Sequence, residues 1–149
     1  MTEPDTVIRP ALAEDISRIM SLEQGSIAHP WDVREIEKLI SDNNKKCYVV
    51  QYEGTVVSYL GAETVLDECN IGNVVTDEKY RGRGFAKALM SYLLDDLKKS
   101  GIVKVFLEVE HDNAPAIALY EKSGFVRYGQ RRDYYGQGRG AVLMSKELC

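Results

Sequence analysis

The sequence predicts an α/β layer fold around a mixed sheet. Three features carry this expectation. β-rich runs alternate with stretches of helical apolar spacing along the chain, which lays helices against sheet faces. Two β-rich runs flank Glu53-Gly54, a hairpin signal, so part of the sheet is antiparallel. The strongest helical stretch opens on Arg81-Gly82-Arg83-Gly84, directly after a β-rich run.

Thr6 to Arg9 reads as a first strand, ended by Pro10. Ala13 to Gln24 has helical spacing through Ile16, Ile19 and Met20, with Gly25 as its stop. Pro30 to Ile40 shows a second helical pattern through Trp31, Ile36, Leu39 and Ile40. Lys46 to Tyr52 and Thr55 to Leu60 form the hairpin. Val65 to Thr76 contains another strand, interrupted near Asn70-Ile71-Gly72-Asn73. Phe85 to Lys99 is the clearest helix: Ala88, Leu89, Tyr92, Leu93 and Leu97 share a face, and Gly101 ends it. Val103 to Val109 is a strand, and Pro115 to Lys122 is a helix closed by Ser123-Gly124. Phe125 to Tyr128 and Ala141 to Met144 are final strands joined by a loop rich in Gly, Tyr and Arg. The order is β-α-α-β-β-β-α-β-α-β-β.

The 149 residues fit one domain, 1–149, long enough to bury a core without disulfides or metal. The chain is 44% hydrophobic and 28% charged, too apolar for a disordered one, and its net charge of −4 argues against a general nucleic-acid or anionic-membrane binder. No apolar run approaches the roughly 18 residues of a membrane helix, and the polar start Met1 to Asp5 has no signal pattern. Cys47, Cys69 and Cys149 are widely spaced, form no CxxC pair and suit a reducing cytoplasm. With only His29 and His111 as histidines, no metal site is expected. A monomer is favoured.

The segment from Arg81 to Ala86 lies between a strand and a helix. Glycines leave its backbone unshielded, and the first helical amides carry partial positive charge without internal partners. Together they suit a pyrophosphate. Lys79, Arg81, Arg83 and Lys87 add a cationic rim inside an acidic protein. The spacing matches neither a Walker loop nor a dinucleotide fingerprint. A glycine-rich turn with a solvated basic face is the plainer alternative.

A second constellation runs from Leu107 to Phe125. In the strand, Val105, Leu107 and Val109 point one way, and Phe106, Glu108 and Glu110 the other. With apolar residues on both faces, the strand is expected to be central and covered. Partial burial makes a carboxylate a better base. Asn113 opens the next helix, and Tyr120 lies two turns on along the same face. The plainer readings stay open: Asn113 as an N-cap, Tyr120 as core, Glu108 in water at a strand edge.

These residues resemble a known family. Arg81-x-x-Gly84-x-Ala86 followed by a helix is similar to the (Gln/Arg)-x-x-Gly-x-(Gly/Ala) signature of the GNAT superfamily of N-acetyltransferases. Asn113-x-x-Ala116-x-x-Leu119-Tyr120-x-x-x-Gly124-Phe125 is similar to its next motif. Within the superfamily the chain looks most like the RimI-type ribosomal-protein-alanine N-acetyltransferases, through His29-Pro30-Trp31, Asn73 to Asp77, Leu107-Glu108-Val109, Ile117 to Tyr120 and Arg132 to Tyr135. The resemblance implies the GNAT three-layer fold, a mostly antiparallel central sheet flanked by helices. It implies acetyl-CoA as cosubstrate, with Val74, Val75 and Thr76 along the pantetheine arm. Gly82, Arg83, Gly84, Phe85, Ala86 and Lys87 would hold the pyrophosphate, and Asn113 would contact the cofactor. By the same resemblance Glu108 is the general base and Tyr120 the general acid. Relatives usually carry an acidic residue before the last strand, where this chain has Gly140-Ala141, and the Gly136 to Gly140 segment is unusually glycine-rich.

Chemistry constrains the acceptor. Only a neutral amine attacks a thioester. An α-amine of pKa about 7.7–8.0 is roughly 10% neutral at pH 7, and a lysine is below about 0.1%. Glu108 can remove the α-amine proton, a backbone amide near Val75 can face the developing oxyanion, and Tyr120 can protonate the thiolate. No cysteine is placed as a nucleophile, which favours direct transfer. His29, Pro30, Trp31, Arg132, Tyr134 and Tyr135 are candidates for the substrate groove, against the plainer reading of a helix entry turn with a core Trp and a surface hairpin tip; Asp67, Glu68 and Glu110 could attract a cationic N-terminus, and solvated surface is an equal reading of them. The expected activity is N-terminal acetylation of a protein, with the N-terminal alanine of a small-subunit ribosomal protein as partner. The alternatives are a GNAT acting on lysine side chains or a small amine, and a non-catalytic acyl-CoA-binding module.

Overall fold

The computed structural model describes residues 5–26 and 31–148. Thr6–Pro10 forms β1, and a single 3-10 turn at Ala13–Asp15 leads into α1 (Ile16–Ser26). α2 (Val33–Ser41) follows, then β2 (Lys45–Tyr52), β3 (Thr55–Val65) and β4 (Glu68–Thr76). A 3-10 turn at Glu78–Tyr80 precedes α3 (Phe85–Lys99). β5 (Lys104–Glu110), α4 (Ala114–Lys122), β6 (Val126–Arg131) and β7 (Ala141–Glu147) complete the chain. The order of helices and strands is the expected one. The seven strands lie side by side as β1-β2-β3-β4-β5-β7-β6, and every pair is antiparallel except β4 with β5.

Several boundaries differ from the sequence reading. The second helix starts at Val33, not Pro30, because Asp32 and Glu35 form a capping box: Asp32 accepts from the Glu35 amide at 3.0 Å, and Glu35 accepts from the Asp32 amide at 3.2 Å. Gly25 does not stop the first helix, which runs to Ser26. The hairpin strand expected to end at Leu60 continues to Val65 and turns at Leu66-Asp67 into β4. Apolar periodicity faded over Gly61 to Thr64, but backbone pairing with β2 and β4 does not need it.

Two cores sandwich the sheet. α1 and α2 cover one face of the β2–β4 half, through Ile19, Leu22, Ile36 and Leu39 against Val49, Tyr59 and Val75. α3 and α4 cover the opposite face, through Leu89, Leu93, Leu97 and Ile117 against Leu60, Ile71, Val105, Leu107 and Met144. β5 is central, but only its Val105–Leu107–Val109 face is buried. Phe106, Glu108 and Glu110 are half-buried, because α1 and α2 cover the other half of the sheet. The expectation that both faces of β5 are covered is therefore corrected to one.

The start of α1 is tied to the sheet by a near-buried ion pair. Asp15 is 5% exposed, and its carboxylate accepts from Arg9 at 2.7 and 3.0 Å and from the Leu12 amide at 2.7 Å. The Arg9 hydrogen bonds hold the Asp15 pKa below the usual range, against the opposing effect of burial. A depressed native pKa contributes stability that is present above the unfolded value near 3.9 and lost as pH falls through the native value. Asp15→Asn is expected to lower Tm at pH 7 by about 4–8 °C, the equivalent of about 2 kcal/mol at this chain length. The gap from wild type should close below about pH 4, and thermal melts across pH check both points.

Candidate active site

β4 and β5 pair in parallel only from Glu68↔Lys104 to Ile71↔Leu107. Beyond that pair the two strands continue to Thr76 and Glu110 without bonding each other, which leaves a V-shaped opening in the middle of the sheet. A bulge in β4 sets the divergence. Gly61 pairs with Asn73 and Ala62 with Ile71, so Gly72 is the extra residue. A Cβ on Gly72 would stand 3.0 Å from the Trp31 ring, and the Asn73 side chain reaches Glu23 of α1, so both bulge residues face the α1–α2 layer. Val74 then returns to the α3 side and Val75 to the α1–α2 side. Val74, Val75 and Thr76 thus form the free edge of the opening.

The loop from β4 to α3 follows directly on the free edge of β4. Asp77 anchors it. Its carboxylate accepts from the Lys79 amide at 2.9 Å and from Arg18 at 2.6 Å, and these bonds hold its pKa below the usual range. Gly82 and Gly84 both adopt left-handed φ, 78° and 83°, and an added Cβ at either would meet nothing within 4 Å. Gly84 is the N-cap of α3 and gives no side-chain cap, so the amides of Phe85, Ala86 and Lys87 have no intrahelical acceptor. This is an open, amide-lined cradle at a 15-residue helix. Phe85 contributes only backbone here, since its ring is buried in the core. Of the expected cationic rim, Lys79 and Lys87 are exposed. Arg81 donates to the Thr76 carbonyl at 3.3 Å, and Arg83 donates to the Tyr52 hydroxyl at 3.0 Å with its guanidinium 4.6 Å from that ring. These two arginines brace the loop as well as charge it.

Glu108 is the first β5 residue past the last β4 pair, on the half-buried face. Tyr120 lies on the opposite side, in the core that α3 and α4 make with Val105, Leu107 and Val109. It is 9% exposed, and burial pushes its phenol up to about 12. Its ring packs edge-on against Phe125, with centroids 6.1 Å apart. Only at a gap in the sheet can groups on opposite faces address one atom. Tyr135 joins this centre: its hydroxyl is shifted upward first by burial, then by the charge of Glu108, with Tyr134, Tyr120 and Glu110 adding to it. Asn113 is the N-cap of α4, accepting from the Ala116 amide at 3.3 Å, so the plain capping reading holds for its Oδ1.

The other candidates divide. Trp31 packs on the bulge at Gly72, while His29 and Pro30 lie outside the described residues. Arg132 lines an open cleft of about 550 Å³ together with His111, Arg131, Asp133 and Gly138. Tyr134 is exposed, stacks under Arg131 at 4.7 Å and meets Tyr135 edge-on at 4.9 Å. Asp67 and Glu68 do not belong to the site. The parallel register puts Glu68 beside Lys104, at the closed end of the β4–β5 pair, four residues or about 13 Å before the bulge. Glu110 is not a free attractor either, since Arg139 forms an ion pair with it. Glu23 and Tyr59 were not candidates. The available signal was a carboxylate in the apolar stripe of α1, seven residues after Ile16. Among the described residues no three His, Cys, Asp or Glu side chains converge as a metal site requires.

The profile of the Acetyltransferase (GNAT) family matches residues 11–125, most of the chain, and includes both the cradle and the Glu108–Tyr120 pair. The chain belongs to the GNAT acetyltransferase family. It is 35% identical over 137 residues to the [ribosomal protein bS18]-alanine N-acetyltransferase of Escherichia coli K12, covering 88% of this chain and 90% of that one. The crystal structure of the ribosomal-protein-S18-alanine N-acetyltransferase from E. coli superposes with a TM-score of 0.88 at 28% identity, covering 96% and 94% of the two chains. Ard1 from Thermoplasma volcanium superposes at 0.90 with 27% identity, covering 97% and 99%. The mixed, mostly antiparallel sheet and its helices are those of GNAT enzymes, and the protein is a RimI-like N-acetyltransferase.

GNAT enzymes use acetyl-CoA, which carries a diphosphate, and the free amides at the start of α3 are donors of the kind a diphosphate accepts from. Gly84→Asp puts a negative side chain into that cradle. It is expected to raise the Kd for coenzyme A at least about 10-fold while Tm falls only a few degrees. Calorimetric titration checks this, and an unchanged Kd would contradict the assignment.

Proposed function

We propose that the chain transfers acetyl from acetyl-CoA to the N-terminal α-amine of a protein in the cytoplasm, and that its acceptor is the N-terminal alanine of a bS18-type ribosomal protein. The observation that carries the chemistry is the end of the β4–β5 ladder at Ile71↔Leu107, which leaves Glu108 first on an open edge. The acceptor is supported by the printed activity of the 35% identical relative.

Gly82 to Lys87 would hold the pyrophosphate through backbone amides, and the free edge Val74–Thr76 would bind the extended arm as a sheet binds an added strand. Acetyl-CoA, when bound, supplies the acetyl group as a thioester. Glu108 takes a proton from the incoming ammonium, directly or through one water. An amide of β4 beyond the bulge donates where negative charge develops. Tyr120 keeps its phenolic proton through the neutral range, since its pKa of about 12 lies far above it, and holds that proton for the leaving sulfur. Tyr135, close enough to feel the Glu108 charge, and Trp31, seated on the bulge, flank the amine.

Peptides settle the acceptor. A peptide beginning Ala-Arg should be acetylated at its α-amine, and an N-blocked peptide containing lysine should not. The reverse result moves the activity to lysine side chains. Glu108→Gln should lower kcat at neutral pH by about 10²-fold or more, with coenzyme A affinity within about 2-fold of wild type. Tyr120→Phe should slow turnover by about 10-fold, tempered by solvent as a substitute acid. Unchanged kcat in either variant removes that residue from its role.

A further inference from the structure

The apolar stripe of α1 runs through Ile16, Ile19 and Met20, and its next position is Glu23. Glu23 is 0% exposed. A carboxylate in such a place is costly unless its oxygens are fully used. Oε1 accepts from the Trp31 backbone amide at 3.1 Å. Oε2 accepts from the Tyr59 hydroxyl at 2.5 Å and from Asn73 Nδ2 at 3.0 Å. Among the described residues no cation pairs with it. Burial, and then the bond to Glu23, raise the Tyr59 pKa.

Two of the three donors lead to the β4 bulge. Asn73 is one of its residues, and Trp31 lies on the other, with a Gly72 Cβ position only 3.0 Å from the ring. Tyr59 belongs to β3 and pairs with Val75. Stability does not require this arrangement, since a buried polar cluster can often be replaced by apolar side chains of similar volume at no loss. What the carboxylate does that an apolar side chain cannot is grip the bulge from the α1–α2 layer, at the point where β4 leaves β5.

We propose that Glu23 is a positioning residue: through Asn73 and Trp31 it sets the β4 bulge so that the edge Val74–Thr76 stands clear of β5 to receive the pantetheine arm. The inference rests on the acyl-CoA reading of the opening given above. It makes a distinction between the two halves of the cosubstrate. The nucleotide half would be held by the α3 cradle, which the Glu23 cluster does not touch. Only the arm depends on the bulge.

The test compares variants by calorimetry with two ligands, coenzyme A and adenosine 3′-phosphate 5′-diphosphate, its nucleotide half without the arm. Asn73→Ala cuts the direct tie to the bulge. It should weaken coenzyme A about 10-fold and leave the nucleotide half within about 2-fold. Tyr59→Phe removes a hydrogen bond from the same oxygen and the longer 3.3 Å contact of Asn73 Nδ2 with its hydroxyl, but leaves the 3.0 Å Glu23–Asn73 bond and the Trp31 contact with Gly72 in place. It should leave both affinities within about 2-fold, even where its Tm falls as far. The exchange variant Glu23→Gln with Asn73→Asp swaps amide and carboxylate across one contact, and should recover coenzyme A affinity to within about 3-fold of wild type. The proposal is overturned if Asn73→Ala binds coenzyme A normally, if it loses both ligands equally, if Tyr59→Phe weakens coenzyme A as much, or if the exchange variant recovers nothing. Wild-type protein that binds the nucleotide half but gains nothing from the arm would instead overturn the reading of the opening, and this inference with it.

Discussion

The ladder between β4 and β5 ends after four residue pairs, and the organisation of the site follows from that. Where two central strands part, each leaves a row of amides and carbonyls facing a gap, and buried backbone groups without partners are unfavourable. Such a gap persists only if something stiff holds the strands apart. Here the bulge at Gly72 does so, and the α1–α2 layer packs against it through Trp31. The open edges are then a template for an extended ligand that can satisfy them, which a pantetheine arm with its two amides can do.

The gap also explains how residues from different layers come together. Glu108 and Tyr120 lie on opposite faces of the sheet, one on the half-open face and one in the α3–α4 core. In a continuous sheet they would be separated by the backbone between them. Electrostatics sort the two phenols and the carboxylate. Burial keeps Tyr120 protonated across the neutral range, and the charge of Glu108 adds to burial at Tyr135. Glu110, one step along the same face as Glu108, is matched by Arg139, so Glu108 is the carboxylate of that face left without an ion-pair partner among the described residues.

Much of this was legible in the chain before folding. The element order, the antiparallel hairpin and the alternation of β5 follow from apolar period and turn residues, which are local properties. The cradle was legible because glycines at the start of a helix have a local meaning. For Asp67 and Glu68 the choice between substrate attractor and solvated surface turns on register, which puts Glu68 opposite Lys104 at the closed end of the β4–β5 pair. Glu110 is held by Arg139, 29 residues along the chain, a partner that no local pattern names. The apolar spacing from Pro30 to Ile40 does not register the helix start, which the Asp32–Glu35 capping box sets at Val33.

By itself, then, the sequence determined the layers, the order of the elements, the glycine-opened start of α3 and the residue types present along β5 and α4, because each depends on neighbours within a few positions. The tertiary structure alone decided where β4 and β5 part and which acidic residues lie at that point. It also decided that Glu23, seven residues along an apolar stripe, is turned toward Asn73, 50 residues away. Register and burial depend on long-range pairing, and no local pattern specifies which distant strand a carboxylate will meet.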